Sequence, residues 1–201
     1  MDRRFFLGAT LGAAVTGLPA RAQQVSLGAL SQYLNGLQSA RAAFTQVNAD
    51  GTISTGTLYI RRPGRARFEY DPPEESLVMA GGGQVAIFDG KSNTAPEQFP
   101  LKRTPLNLIL ARQVDLTRNG MVVGHAVDGP STVVTAQDPE FPEYGTIRLI
   151  FTSNPVELRQ WVITDESGQQ TTVILGKMET GLNLGNRLFN IVQEAKARGF
   201  D

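Results

Sequence analysis

Few of the side chains that usually carry out chemistry are present in this sequence. The chain of 201 residues has one histidine, His125, and no cysteine. Without cysteine there can be no disulfide, thiolate zinc site, iron–sulfur cluster or cysteine nucleophile. A single histidine also leaves little for a metal site or a catalytic triad. These counts exclude several classes of enzyme and metal site. We expect a protein that is not an enzyme, with no catalytic residues, no metal ion and no other cofactor.

The densest group of charged side chains is a run of four arginines, Arg61, Arg62, Arg65 and Arg67. From the residues alone, a solvated basic surface is the simplest interpretation of this run. Over the whole chain, 19 Lys and Arg residues balance 19 Asp and Glu residues. A nucleic-acid binder needs a basic surface to displace counterions from the phosphates. We therefore expect no nucleic-acid partner.

The first residues have the pattern of an export signal. Arg3 and Arg4 precede an apolar run at residues 5–18, which is shorter than the roughly 20 residues that a membrane-spanning helix needs. Ala20-Arg21-Ala22 then supplies the small-x-small pattern that signal peptidase accepts. We predict a cleaved signal peptide at residues 1–22.

Two export routes fit this segment. Arg3-Arg4-Phe5-Phe6-Leu7 resembles a twin-arginine signal, and a general-secretion signal fits equally well. Either route leads to the periplasm of a Gram-negative bacterium. Gln23 cannot be acylated, so we expect residues 23–201 to form one soluble, monomeric domain without a lipid anchor.

Apolar periodicity predicts a helix at the start of this domain. Leu27, Leu30, Leu34 and Leu37 recur at intervals of three and four, and Ser26 is a suitable N-cap. From residue 43 onward the period changes to two, in short runs separated by turn residues. The pattern predicts eleven antiparallel strands, at residues 43–47, 56–61, 65–70, 77–80, 84–88, 98–101, 122–127, 132–136, 146–152, 158–164 and 170–177.

Two segments interrupt or follow the strands. Thr104-Pro105 is typical of a helix start, and Leu106, Ile109 and Leu110 then form a short apolar stripe. Residues 188–192 predict a last strand that runs into a short helix. A long meander with few helices predicts a mainly β domain, a barrel or a strongly curved sheet.

Several strands are apolar on both faces, which means that both faces are shielded from water. Residues 84–88 and 158–164 show this most clearly. Two interpretations fit: a closed barrel with a packed core and a helix outside, or a curved sheet whose inner face and covering helices enclose a ligand.

The segment Gly56-Thr57-Leu58-Tyr59-Ile60-Arg61-Arg62-Pro63-Gly64, followed by Arg67-Phe68-Glu69-Tyr70, resembles the periplasmic outer-membrane lipoprotein carrier family, LolA. The resemblance continues with Ala43-Phe44-Thr45-Gln46 upstream, and with Thr104-Pro105-Leu106 and Asp165-Glu166-Ser167-Gly168-Gln169 downstream. It depends most on the Arg-Pro-Gly segment.

The resemblance implies a fold and a function. The expected fold is a half-open antiparallel β-barrel of about eleven strands, closed by short helices over an apolar cavity. The expected function is a soluble periplasmic chaperone for acylated lipoproteins. It would receive them from an inner-membrane lipoprotein-releasing ABC transporter and deliver them to an outer-membrane lipoprotein acceptor, with the acyl chains shielded in the cavity.

The resemblance also implies roles for single residues. Arg62 matches the family arginine that holds the lid shut, so we expect it to act as the lid latch. Two departures are Ala66, where many members carry an aromatic residue, and a tail at residues 193–201 without the usual prolines. The candidate cavity residues are apolar and lie in the predicted strands and the second helix: Phe44, Leu58, Phe68, Phe88, Leu106, Ile109, Leu110, Phe151 and Trp161.

Other functions remain open on the sequence alone. One alternative is a periplasmic lipid-sensing regulator or lipid-binding protein of the same fold. A second is a secreted hydrolase, which would need Ser and Asp side chains to converge on His125.

Overall fold

The computed structural model describes residues 24–92 and 94–200. The predicted signal peptide lies outside the described residues. The described chain forms one antiparallel sheet with three short helices. The helices are α1 (Leu27–Gly36), α2 (Leu106–Leu110) and α3 (Ile191–Ala197). The strands are β1 (Ser39–Val47), β2 (Ile53–Arg61), β3 (Arg65–Tyr70), β4 (Leu77–Gly81), β5 (Gln84–Phe88), β6 (Glu97–Pro100), β7 (Val122–Asp128), β8 (Ser131–Gln137), β9 (Thr146–Ser153), β10 (Val156–Thr164), β11 (Gln170–Leu175) and β12 (Glu179–Thr180).

Two meanders build the sheet. Strands β1 to β6 pair consecutively, as do β7 to β11, and β11 joins the halves by pairing with β1. In the described part of the chain, the outermost strands β6 and β7 do not pair with each other, so the barrel stays open. Residues 101–121, which we call the lid segment, connect these two edges and contain α2. The predicted half-open barrel with short covering helices is thus confirmed.

The predicted elements agree with the structure at most positions. The eleven strands predicted between residues 43 and 177 are all present, and the Ser26 hydroxyl caps α1 by accepting from the Ala29 amide at 3.3 Å. A twelfth strand, Glu179–Thr180, was not predicted because two residues are too short to show a period. No helix in residues 24–92 and 94–200 is long and apolar enough to cross a bilayer.

The strand predicted at residues 188–192 is wrong. A 3₁₀ turn occupies Asn186–Phe189, and α3 follows at once. The Asn190 side chain accepts a hydrogen bond from the Gln193 amide at 2.9 Å, which makes Asn190 the N-cap of α3. Capping by this residue therefore overrides the β propensity of the apolar run.

The apolar side chains form two separate clusters, one on each face of the sheet. The inner cluster lies between the sheet and the two helices α1 and α2, and includes Trp161. The outer cluster is smaller and lies where α3 covers β4 and β5. Its members are Leu77, Met79, Ala86, Phe88 and Ile191. Strand β5 contributes Val85 to the first cluster and Phe88 to the second, which explains why it is apolar on both faces.

Close packing of the inner cluster requires a glycine in β2. A Cβ atom on Gly56 would overlap the Glu69 carbonyl oxygen and lie 2.8 Å from a ring carbon of Phe44. Gly56 thus lets strands β1 and β3 place Phe44 and Tyr70 beside each other, with ring centroids 5.2 Å apart.

We expect Gly56→Ala to lower the free energy of unfolding by about 1–3 kcal/mol, because the added methyl group forces backbone movement. Urea denaturation followed by Trp161 fluorescence measures this change. Gly28→Ala is the matched control: no atom lies within 4 Å of its Cβ, and alanine favours the helix, so stability should hold or rise. Equal stability of Gly56→Ala and wild type would contradict the packing argument.

The C-terminal segment is held on the outer face by arginines of β2 and β3. Arg67 donates to Glu194 at 3.0 Å and to Glu69 at 2.6 Å, and Arg198 donates to Glu194 at 3.0 Å. Arg61 donates to the Leu184 carbonyl at 2.6 Å. Burial alone would raise the pKa of Glu194, but hydrogen bonds from Arg198 and Arg67 outweigh it, so its pKa is lowered.

Glu194→Gln should destabilise the protein by about 1 kcal/mol at neutral pH, because the charge-assisted bonds to α3 are lost. A carboxylate with a lowered folded pKa stabilises the fold above its unfolded pKa of about 4.3, and the effect disappears as the pH falls through the folded pKa. The difference in unfolding free energy between wild type and Glu194→Gln should therefore be complete above the unfolded pKa and vanish once the pH falls below the lowered folded pKa of Glu194.

Glu179→Gln is the control for this experiment, because its partner Arg41 and Glu179 itself are both about half exposed. We expect almost no change in stability for this variant. A pH-independent difference for Glu194→Gln would show that the carboxylate charge is not what holds α3.

Candidate functional site

The inner face of the sheet is lined by aromatic rings in edge-to-face contact. Phe44 packs against Phe68 with centroids 5.5 Å apart, and Phe68 packs against Trp161 at 6.3 Å. Tyr70 joins this series through Phe44, and its hydroxyl donates to the Gln46 side-chain oxygen at 2.7 Å. Burial raises the pKa of Tyr70 to about 12, so the phenol stays neutral. The surface under the helices is thus apolar and uncharged.

Helix α1 covers the β9–β10 side of this surface. Its residues Leu30 and Leu34 are almost completely buried in the inner cluster. Tyr33 packs edge-to-face on Phe151 with centroids 5.9 Å apart, and its hydroxyl oxygen accepts from the Leu158 amide at 3.0 Å. The helix is therefore fixed to the sheet at one side by a ring contact and a hydrogen bond.

The lid segment covers the remaining side of this surface. Leu106, Ile109 and Leu110 of α2 are all buried in the inner cluster. Val114 and Leu116, which follow α2, are buried there too. In this structure the space above the sheet is thus filled by the side chains of α1 and the lid segment.

Arg62 is the one charged residue that is buried in the described part of the chain, with 5 % of its surface exposed. Its guanidinium donates to the Leu34 carbonyl near the end of α1 and to the Asn35 side-chain oxygen at 3.1 Å. It also donates to the Ala111 carbonyl at the end of α2, at 3.1 Å from Nε and 2.6 Å from Nη2. A single side chain of the β2–β3 turn therefore holds both helices.

No carboxylate neutralises this cation among the described residues, whose ion pairs all involve other arginines or a lysine. Its partners are instead carbonyl oxygens at helix ends, which carry partial negative charge. Desolvation by burial lowers the pKa of Arg62, although a guanidinium remains charged at neutral pH. The contact is therefore specific, but it depends on both helix ends being in place.

The residues around Arg62 reinforce the same junction. The Gly64 amide donates to the Leu110 carbonyl at 2.8 Å, so the β2–β3 turn reaches α2 through its backbone as well. Asn35 exchanges two hydrogen bonds with the backbone of Val114, at 2.8 and 2.9 Å. Ser31 accepts from the Leu116 amide at 2.9 Å. Helix α1 and the lid segment are thus joined to each other and to the sheet.

Sequence reasoning did not single out Asn35 and Ser31. Their spacing of four residues places both on one side of α1, beside the buried leucines, and this polar pair next to an apolar stripe is the signal that could have found them. The partner residues 112–121 have no periodicity that would have predicted the contact.

The structure brings eight of the nine candidate cavity residues together. Phe88 is the exception, because it packs in the outer cluster under α3, where the Arg198 guanidinium lies 5.1 Å from its ring centroid. The eight that share the inner cluster are Phe44, Leu58, Phe68, Leu106, Ile109, Leu110, Phe151 and Trp161.

His125 has a structural contact. Its Nε2 atom lies 2.9 Å from the Val25 carbonyl oxygen, and the Val25 amide donates to the Thr132 hydroxyl at 3.0 Å. These bonds hold the residues before α1 against β7 and β8. Within residues 24–92 and 94–200, no group of three His, Asp or Glu side chains could hold a metal ion.

An open groove of about 620 Å³ marks the joint between the lid segment and the sheet. It lies between α2 and the turns that follow β2 and β4. Its charged lining residues are Lys102 and Arg112, both on the lid segment.

Comparison with known proteins identifies the family. The family model "Outer membrane lipoprotein carrier protein LolA" matches residues 35–192. This chain belongs to the LolA family. An outer-membrane lipoprotein carrier protein of Methylococcus capsulatus is 24 % identical over 197 residues, covering 92 % of each chain. One from Legionella pneumophila is 28 % identical over 177 residues, covering 83 % of this LolA-family chain and 85 % of its own.

A solved structure of a LolA superfamily protein from Nitrosomonas europaea is also similar to this LolA-family chain. It has a TM-score of 0.45 and 10 % sequence identity, and the match covers 83 % of this chain and 98 % of that one.

Replacing Asn35 should loosen the lid segment of this LolA-family protein. Asn35→Ala removes both bonds to Val114 and one acceptor of Arg62, so we expect faster amide exchange at residues 112–116, measured by hydrogen–deuterium exchange. Gln38→Ala is the matched control, because the exposed Gln38 side chain donates to the nearby Asn35 carbonyl and does not bond to the lid segment within the described residues. Unchanged exchange in Asn35→Ala would contradict the bridging role.

Proposed function

We propose that this protein carries acylated lipoproteins through the periplasm and binds their acyl chains between the inner face of the sheet and the two helices. The observation that carries the proposal is the buried Arg62, which joins the ends of α1 and α2 above an apolar, aromatic surface. Membership of a family of outer membrane lipoprotein carriers supports the same function.

Opening of the lid creates the binding space. When α2 moves away, Leu106, Ile109 and Leu110 leave the inner cluster and expose the rings beneath them. Acyl chains then replace these side chains, each buried methylene contributing about 0.8 kcal/mol. The carrier does not need a permanent cavity. The lid residues fill the space in the absence of cargo, and the acyl chains fill it once the lid has opened.

Arg62 sets the cost of opening. Hydrogen bonds to a charged group contribute about 1.5–3 kcal/mol each, while burial of an ion costs several kcal/mol. On opening, the guanidinium loses the carbonyl oxygens and regains water, so these two effects largely offset each other. The closed state is then favoured by a small margin, which lowers the apparent affinity for cargo and permits its release.

The route of the cargo follows from the same proposal. A carrier that must release its cargo accepts it from a donor that supplies energy, and an inner-membrane lipoprotein-releasing ABC transporter would provide it. Delivery needs a receiver with higher affinity for the acyl chains, and an outer-membrane lipoprotein acceptor would meet this need. The chain would act as a monomer between the two, without catalysis.

Replacing the latch should trap the cargo. We expect Arg62→Leu to bind a fluorescent triacylated lipopeptide about tenfold more tightly than wild type and to release it more slowly to phospholipid vesicles, because opening no longer breaks the guanidinium bonds. Equilibrium fluorescence titration and stopped-flow transfer measure the two effects.

Arg61→Leu is the matched control. Arg61 is the preceding residue and the last of β2, but its side chain donates to the Leu184 carbonyl and the Asn186 side chain on the outside. We expect this variant to bind and release the lipopeptide like wild type. Equal release by Arg62→Leu and wild type would refute the latch.

Two other outcomes separate the proposed function from its alternatives. Failure of the wild-type protein to bind the lipopeptide would refute the carrier function itself. Tight binding without any transfer to vesicles or acceptor would favour a lipid-sensing protein of the same fold.

A further inference from the structure

The loop between β8 and β9, residues 138–145, presents two aromatic rings at the surface. Phe141 and Tyr144 are stacked, with centroids 5.1 Å apart and planes inclined by 11°. Phe141 remains 44 % exposed, so core packing does not account for its position. The two rings thus form a surface feature that has no role in the carrier mechanism proposed above.

The backbone of this loop is firmly held. The Asp138 carboxylate accepts from the amides of Glu140 and Phe141 at 2.9 and 3.3 Å. Gly145 has a φ of 98°, and a Cβ atom there would overlap the Thr164 carbonyl oxygen, so the loop end lies directly on β10. The two rings are therefore presented from a fixed base.

Two contacts of this loop involve arginines of the lid segment. The Arg103 guanidinium lies over the Tyr144 ring, 5.7 Å from its centroid. Arg118 donates to Glu140 at 2.8 Å. Arg103 precedes α2 and Arg118 follows it, so the loop contacts the lid segment on both sides of the helix.

We propose that loop 138–145 is a second attachment point of the lid, in which Tyr144, supported by Phe141, positions Arg103 and thereby the start of α2. The inference rests on the proposed function, in which α2 moves to admit cargo. Arg62 holds the end of α2 from the β2 side, whereas Tyr144 holds its start from the β8–β9 side.

The ring contact is the half of this attachment that substitution of a single ring can test. Arg118 and Glu140 are 53 % and 66 % exposed, and an exposed ion pair of this kind stabilises little. A guanidinium on an aromatic face keeps its attraction when the ring hydroxyl is removed, because the ring itself provides the negative potential. Phe141 stacks on the same ring and restricts its orientation.

Hydrogen–deuterium exchange of the lipid-free protein tests this proposal. Tyr144→Leu and Arg103→Gln remove the contact from opposite sides, and each should raise amide exchange at residues 101–110 about threefold or more. Tyr144→Phe keeps the ring and should exchange like wild type. Tyr59→Leu is a control on β2, away from the loop, and should leave exchange at residues 101–110 unchanged.

Two results would overturn the inference: wild-type exchange in both Tyr144→Leu and Arg103→Gln, or a loss of protection in Tyr144→Phe equal to that in Tyr144→Leu. The measurement contains no lipid, so it does not depend on cargo binding. Lipopeptide titration of the same variants tests the proposed function separately, and Tyr144→Leu should release the lipopeptide more slowly than wild type does.

Discussion

The packing of both helices on the sheet depends on one buried positive charge and the oxygen atoms that surround it. The Arg62 guanidinium can be buried only because the ends of α1 and α2 and the Asn35 side chain supply hydrogen-bond acceptors for it. Neither helix alone supplies all of them. Closure is therefore cooperative: the sheet, α1 and the lid segment must meet at the same point before burial of the cation becomes favourable.

The helices also have little stability of their own and depend on contacts with the rest of the domain. Helix α2 has five residues, and isolated helices shorter than about 12 residues are marginal in water. Its conformation is maintained by burial of Leu106, Ile109 and Leu110 and by the hydrogen bonds that reach its end from Arg62 and Gly64 of the β2–β3 turn. The sheet, by contrast, is stabilised by hydrogen bonds between every pair of neighbouring strands, from β6 at one edge to β7 at the other. The domain thus combines a stable sheet with helices that are stable only while they pack against it.

Much of this architecture is predictable from the sequence, because strand periodicity and turn residues are local signals. All eleven predicted strands and the Ser26 cap are confirmed for that reason. The position of Phe88 was not predictable, because β5 is apolar on both faces and only the placement of α3 distinguishes the inside from the outside. Asn35 and Tyr144 act through residues far away in the chain, and no local pattern encodes such contacts. The latch role proposed for Arg62 rests on family resemblance, since its neighbours Arg61 and Arg65 are chemically identical to it.

The unpaired edges of the sheet have a mechanical consequence. In a closed barrel, the number of strands and their stagger set the diameter. The diameter therefore cannot increase unless hydrogen bonds between strands break. Here β6 and β7, in the described part of the chain, are linked through the covalent connection at residues 101–121 rather than by a ladder. The arc can flatten by bending alone, with every inter-strand hydrogen bond intact. Under the proposed function, such bending would let the capacity of the interior adjust to guests that differ in the number and length of their hydrocarbon chains.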